Sequence, residues 1–281
     1  MSIWRYANPA EFMRITAPVM LPLWVVSVIA LAVGLGWALF FTPPDYQQGS
    51  TVKILFIHVP AAMLAINTYA VMALASVIGL VRRHHVSFLV AKAAAPIGAA
   101  FTAVAIITGG VWGQPMWGTY WEWDPRLTAV AIMFFFYLGY MALWAAIDEP
   151  DKAADLSAVL CLVGVIFAFL SRYAAQFWTG LHQGSSLSVE SGQRIDDAFR
   201  TPLYICMIAF YLLFIAILLL RSRTEIRQRR AHALRMQGAA AGWTRLRSTT
   251  AWPNSRTSGS IVEAPRPSIG SSRAKRAGSG A

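Results

Sequence analysis

Two sets of side chains in this sequence are suited to holding a flat ligand with a metal at its centre. The first is the run Trp112-Gly113-Gln114-Pro115-Met116-Trp117-Gly118-Thr119-Tyr120-Trp121-Glu122-Trp123-Asp124-Pro125-Arg126, which places four tryptophans and a tyrosine on one short stretch. Rings this close, with glycine and proline shaping the chain between them, offer a stacking platform for a planar apolar molecule. The second set is histidine, whose neutral imidazole ligates haem iron and other metals. His58 lies in Lys53-Ile54-Leu55-Phe56-Ile57-His58-Val59-Pro60, and His182 in Trp178-Thr179-Gly180-Leu181-His182-Gln183-Gly184. The other three of the five histidines carry less chemistry. His84 and His85 extend the basic turn begun by Arg82 and Arg83, and His232 falls in a basic tail.

The elements that must position these residues are membrane spans. The chain is 57% hydrophobic and 13% charged, against about 25% charged in soluble domains. Six apolar runs are long enough to cross the hydrocarbon core, which takes about 20 residues. They cover approximately 20–41, 56–81, 94–112, 127–147, 156–176 and 201–220. The expected fold is therefore all-α, a polytopic membrane protein of six transmembrane helices. The first run lacks a small-residue cleavage pattern and reads as a retained helix.

Net charge is +11, and its distribution excludes a nucleic-acid role for the folded part. Residues 222–281 hold 12 Lys/Arg and 2 Asp/Glu, whereas residues 1–221 hold 12 and 11. The chain thus divides into a six-helix membrane domain, 1–221, and a basic tail, 222–281. The tail's Arg, Ser, Gly, Ala and Pro content predicts disorder, near anionic membrane lipid.

Arg5, Arg14, Arg82, Arg83, Lys92, Lys152 and the residues from Arg221 onward fall on one set of loops; Lys53, Arg126, Arg194 and Arg200 fall on the other. The richer set faces the cytoplasm by the positive-inside rule, which puts both termini inside. The aromatic run 112–126, the segment 42–55 and the loop 177–200 then share the outer face. An aromatic belt is expected at any membrane interface, but a belt scatters rings along helix ends, and here Trp112, Trp117, Tyr120, Trp121 and Trp123 sit on one connection.

This topology brings His58 and His182 to matching depth on either side of the platform. A histidine on each face of a porphyrin completes six-coordinate iron. No HExxH pattern is present, and neither histidine has a carboxylate at metal-ligand spacing. Haem also carries two propionates, for which Lys53 and Arg126 are the cations on the same face. Cys161 and Cys206 fall at different depths and lack CxxC neighbours, so they read as small packing residues.

The run Trp112 to Thr128, with its Trp-Gly-Gln-Pro-Met-Trp-Gly-Thr opening, resembles the tryptophan-rich (WWD) haem-handling family of cytochrome c maturation. Within that family the six-helix length is similar to the C component, haem exporter protein C (CcmC). The resemblance covers roughly residues 10–220, including Phe56-Ile57-His58-Val59-Pro60 and Leu181-His182-Gln183. It implies haem b held at the outer face of the bacterial inner membrane by His58 and His182. It also implies that Trp117, Trp121, Trp123 and Asp124 form the haem- and chaperone-facing platform. The implied partners are the periplasmic haem chaperone (E component), an ATP-binding cassette pair and a small single-span protein (A, B and D components). Three residues depart from the family pattern: Tyr120 replaces a tryptophan, Glu122 an apolar residue and Pro125 a small one.

Two other functions compete. A cytochrome c haem lyase would join haem vinyls to cysteine thiols, but the outer loops are short for an apocytochrome and one histidine pair is available. A membrane haem transporter subunit would need a nucleotide-binding motif or a polar track at mid-membrane, and the spans offer neither. Delivery of a bound haem without catalysis is the expectation.

Overall fold

The computed structural model describes residues 8–177 and 195–249. They form six long helices: α1 (Pro9–Gly36), α2 (Leu55–Arg82), α3 (His85–Trp117), α4 (Pro125–Ala146), α5 (Pro150–Phe177) and α6 (Asp197–Thr249). A π-helical turn, Trp37–Phe41, continues α1, and a 3-10 turn, Ser50–Ile54, leads into α2. All six helices have the length and apolarity to cross a membrane. The chain is an all-α, multi-pass membrane protein.

Local chemistry sets the helix ends. Asn8 caps α1 by accepting from the Ala10 N–H at 2.9 Å, with Pro9 in the first turn. This cap starts α1 at Pro9, well before the apolar run expected from residue 20. Arg83 takes a left-handed conformation (φ 51°) to end α2, and His84 then caps α3 by accepting from the Ser87 N–H at 3.1 Å. The basic turn is therefore a tight helical hairpin, with His84 built into its backbone hydrogen bonding. Gly118 closes α3 at φ 76°, where a side chain would be strained.

The core is small against large. α3 buries Ala91, Ala93, Ala94, Ala95 and Ala99, which lets neighbouring backbones approach closely. Two buried tyrosines fill the space between helices. Tyr69 and Tyr137 meet edge to face, 5.0 Å between ring centres. With no water in the hydrocarbon core, each hydroxyl needs a protein acceptor. Tyr137 donates to the Ala65 carbonyl at 2.7 Å and Tyr69 to the Cys161 carbonyl at 3.1 Å. The rings fit because Gly98 and Gly164 have no side chains: a Cβ on Gly98 would stand 2.2 Å from the Tyr137 ring. Cys161 and Cys206 are both buried and unbridged, each in a different apolar cluster.

The two ends of the bundle differ in chemistry. At one end Arg83 pairs with Asp155 (2.7 Å), Lys92 with Glu225 (2.8 Å) and Arg229 with Asp151. Arg223 also reaches across to the Met13 carbonyl at 2.7 Å. The opposite end carries the aromatic run.

The described residues up to Ala233 form one compact unit. α6 continues past the apolar run to Thr249, so residues 222–249, expected to be disordered, are helical. Their Ala, Arg, Leu and Gln content is strongly helix-forming, and this outweighs the polarity that suggested disorder.

Candidate functional site at the aromatic end

The site is built on the last three turns of α3. Three of its glycines there make room for three different groups. A Cβ on Gly109 would stand 2.9 Å from Cε1 of His58, one on Gly110 2.9 Å from the Tyr120 carbonyl oxygen, and one on Gly113 2.6 Å from the Trp117 ring. Because Gly109 and Gly110 are consecutive, the imidazole and the returning loop backbone meet adjacent faces of one helical turn. The aromatic run is folded back onto the helix that carries its first tryptophan.

His58 sits in the first turn of α2, half-buried. Its Nδ1 is 3.1 Å from the Thr108 hydroxyl oxygen, and its ring meets Trp112 edge-on at 5.6 Å between centres and 68° between planes. Thr108 and Trp112 are four residues apart on α3 and so share one face. The Trp112 indole N–H in turn donates to Gln48 Oε1 at 2.8 Å.

Beyond Gly118 the run leaves the helix. Thr119 and Trp121 form a small turn, in which the hydroxyl donates to the Trp121 carbonyl at 2.9 Å. Trp121 and Trp123 pack edge to face, 5.5 Å between ring centres. The Trp121 indole N–H is buried with no acceptor among the described residues. Tyr120 and Trp123 are 67% and 77% exposed, so this part of the platform faces outward.

Asp124 is buried and caps α4, its Oδ1 accepting from the Leu127 N–H at 2.6 Å. Pro125 then occupies the first turn, where its fixed φ suits helix entry and its missing N–H costs nothing. Arg126 follows, half-buried, within electrostatic reach of Asp124 and of Arg172 on α5.

The structure thus brings His58, Trp112, Trp117 and the Tyr120 backbone together on the end of α3, with Trp121 and Trp123 paired in the loop. Lys53 is held elsewhere: its Nζ donates to the Leu39 carbonyl at 2.6 Å. That carbonyl belongs to the π-helical turn ending α1, where backbone acceptors lack partners within the helix. His182 lies outside the described residues. Sequence reasoning missed Thr108, Gln48 and Arg172. For Thr108 one signal was available, its four-residue spacing from Trp112; the roles of the other two depend on tertiary contacts that spacing does not encode.

The chain is similar to a known family over most of its length. A sequence model described as Heme exporter protein C matches residues 2–237. Relatives described as Heme exporter protein C include one from Paracoccus denitrificans, 62% identical over 237 residues that cover 83% of this chain and 97% of the relative. One from Rhodobacter capsulatus is 60% identical with the same coverage. One from Escherichia coli strain K12 is 43% identical over 202 residues, covering 72% of this chain and 81% of the relative. With that match laid over six spanning helices and a tryptophan-rich end, the chain belongs to the heme exporter protein C family.

Proposed function

We propose that this protein holds haem b as cargo at the outer face of a bacterial inner membrane and delivers it to a periplasmic haem chaperone during cytochrome c maturation. Both termini lie in the cytoplasm in this reading, and the aromatic end of the bundle faces the periplasm. His58 and His182 are the axial ligands. Trp112, Trp117, Tyr120, Trp121 and Trp123 form the surface on which the macrocycle stacks, with Asp124 holding the start of α4 beneath them. Arg126 pairs with a propionate, and Lys53 has two further N–H donors for the second.

One observation carries this reading: the His58 imidazole is anchored by Thr108 and edged by Trp112 at the point where the loop folds back on α3. The donor set fits the cargo. An imidazole suits ferric or ferrous iron, the rings suit a porphyrin face, and the buried Trp121 N–H suits an acceptor on a ligand. Two exposed rings, Tyr120 and Trp123, give the chaperone access.

Delivery needs an open site. A haem stacked on a loop with one vinyl edge toward water can be handed on, and adjustable ligation lets the product leave. The chain makes no covalent bond to haem in this scheme. The small single-span protein and the ATP-binding cassette pair act around it to release the loaded chaperone.

The test is the absorption spectrum of the purified protein beside His58→Ala and His182→Ala. A low-spin, bis-histidine haem spectrum degraded by either substitution is expected. Spectra unchanged by both, or no Soret band in any sample, would leave the aromatic run as a protein-docking surface.

A further inference from the structure

We infer that Thr108 is a positioning residue that fixes which nitrogen of His58 carries the proton, leaving Nε2 as the metal-ligating atom. The inference rests on the haem-binding reading of His58 above. Its own basis is proton accounting at one hydroxyl.

The Thr108 Oγ1 is 2.6 Å from the Val104 carbonyl oxygen and 3.1 Å from Nδ1 of His58. A hydroxyl has one proton, and a carbonyl oxygen accepts only. At 2.6 Å two oxygens without a proton between them would repel, so the Thr108 proton goes to Val104. This back-bonding to the preceding turn is common for threonine in helices. Toward His58 the same oxygen therefore presents a lone pair. Nδ1 must donate, and the neutral ring is the Nδ1–H tautomer with its lone pair on Nε2.

The surroundings hold the ring in that pose. Gly109 lets the imidazole lie against α3, and Trp112 closes its edge. A histidine that ligates a metal commonly donates its other N–H to a fixed acceptor, which orients the ring and raises its basicity; losing that partner costs about 10- to 100-fold in affinity. Here the acceptor is a helix-bound hydroxyl. It is oriented by backbone geometry, not by a carboxylate, so the ring is steered without placing a negative charge beside the iron.

Two measurements separate this inference from the haem reading. The first uses haem-free full-length protein labelled with 15N-histidine, in mildly alkaline buffer where neutral imidazole dominates, with His58→Gln as the assignment control. Wild type and Thr108→Ser should show His58 protonated at Nδ1, and Thr108→Val should shift it toward Nε2–H. A wild-type ring protonated at Nε2, or a tautomer unmoved by Thr108→Val, would overturn the inference whether or not haem binds. The second is haem titration with imidazole as competitor. Thr108→Val should bind about ten-fold or more weakly, and Thr108→Ser should restore wild-type binding. Equal binding by all three would overturn the positioning role. An absent Soret band in wild type, with the expected tautomer pattern intact, would instead sink the haem reading and leave the proton assignment standing.

Discussion

The Trp112 indole donates its N–H to Gln48 across 2.8 Å, and this bond ties α3 to the segment after α1. The same ring edges His58, so one side chain 64 positions away in sequence from Trp112 steadies the neighbour of a proposed ligand.

Gln48→Leu removes that acceptor and should cost about 1 kcal/mol of stability. Haem retained on purification should fall less than with His58→Ala, because the ligand itself remains. Thermal unfolding in detergent together with haem content checks both parts. No change in either would mean the bond does not steady the ring.

Gly109→Ala and Gly110→Ala should behave differently although they are neighbours. The new methyl at 109 meets the far end of an imidazole, which can swing away. The methyl at 110 meets the Tyr120 backbone carbonyl, which can yield only if the loop moves. Gly109→Ala should lose haem with a stability cost below about 1 kcal/mol, and Gly110→Ala should cost about 1–3 kcal/mol. Equal melting shifts with full haem retention would contradict the packing described.

Asp124 caps a helix, and this separates shape from charge. Asp124→Asn keeps an acceptor for the Leu127 N–H and should leave stability and haem content near wild type. Asp124→Ala should lose about 1 kcal/mol and haem with it. If Asp124→Asn melts normally but binds no haem, the carboxylate acts through its charge.

In the core, Gly98→Ala should be among the most damaging small substitutions, since its methyl would overlap the buried Tyr137 ring. Tyr137→Phe should cost only about 0.6–1.7 kcal/mol, the range of hydrogen bonds between membrane helices. The double variant should recover only part of the loss, because ring carbons 2.2 and 2.3 Å from the new methyl remain after the hydroxyl, also at 2.3 Å, is removed. Protease resistance in detergent ranks the three.

Particular residues show what the sequence made legible. The six spans followed from apolar length, because the bilayer imposes its thickness on composition. The fourth span was expected from residue 127; α4 starts at Pro125 because Asp124 caps it, an acceptor followed by a residue with no N–H to satisfy. The platform rings were legible as a cluster, but not the fold of that cluster back onto α3, which depends on glycines whose neighbours are distant in sequence. Lys53 was read as a propionate partner from its side of the membrane; that its ammonium also donates to the Leu39 carbonyl at the end of α1 is a contact that hydropathy cannot encode. α6 was cut short because charge was taken as disorder, although arginine, alanine and leucine together favour helix.

The length of α3 has a consequence for how high the aromatic end stands. Lys92, ion-paired to Glu225 and set 4.7 Å over the Trp144 ring, marks one water boundary. From there to Trp117 the helix climbs about 38 Å at 1.5 Å per residue, while the hydrocarbon is about 30 Å thick. A tilt of about 20° shortens the climb by only a few ångströms. Trp117 and the residues beyond it therefore stand on a short pedestal among the lipid headgroups. A water-soluble partner meets Tyr120 and Trp123 there without entering the acyl chains, while a ligand lying in the adjoining leaflet reaches the same rings from below.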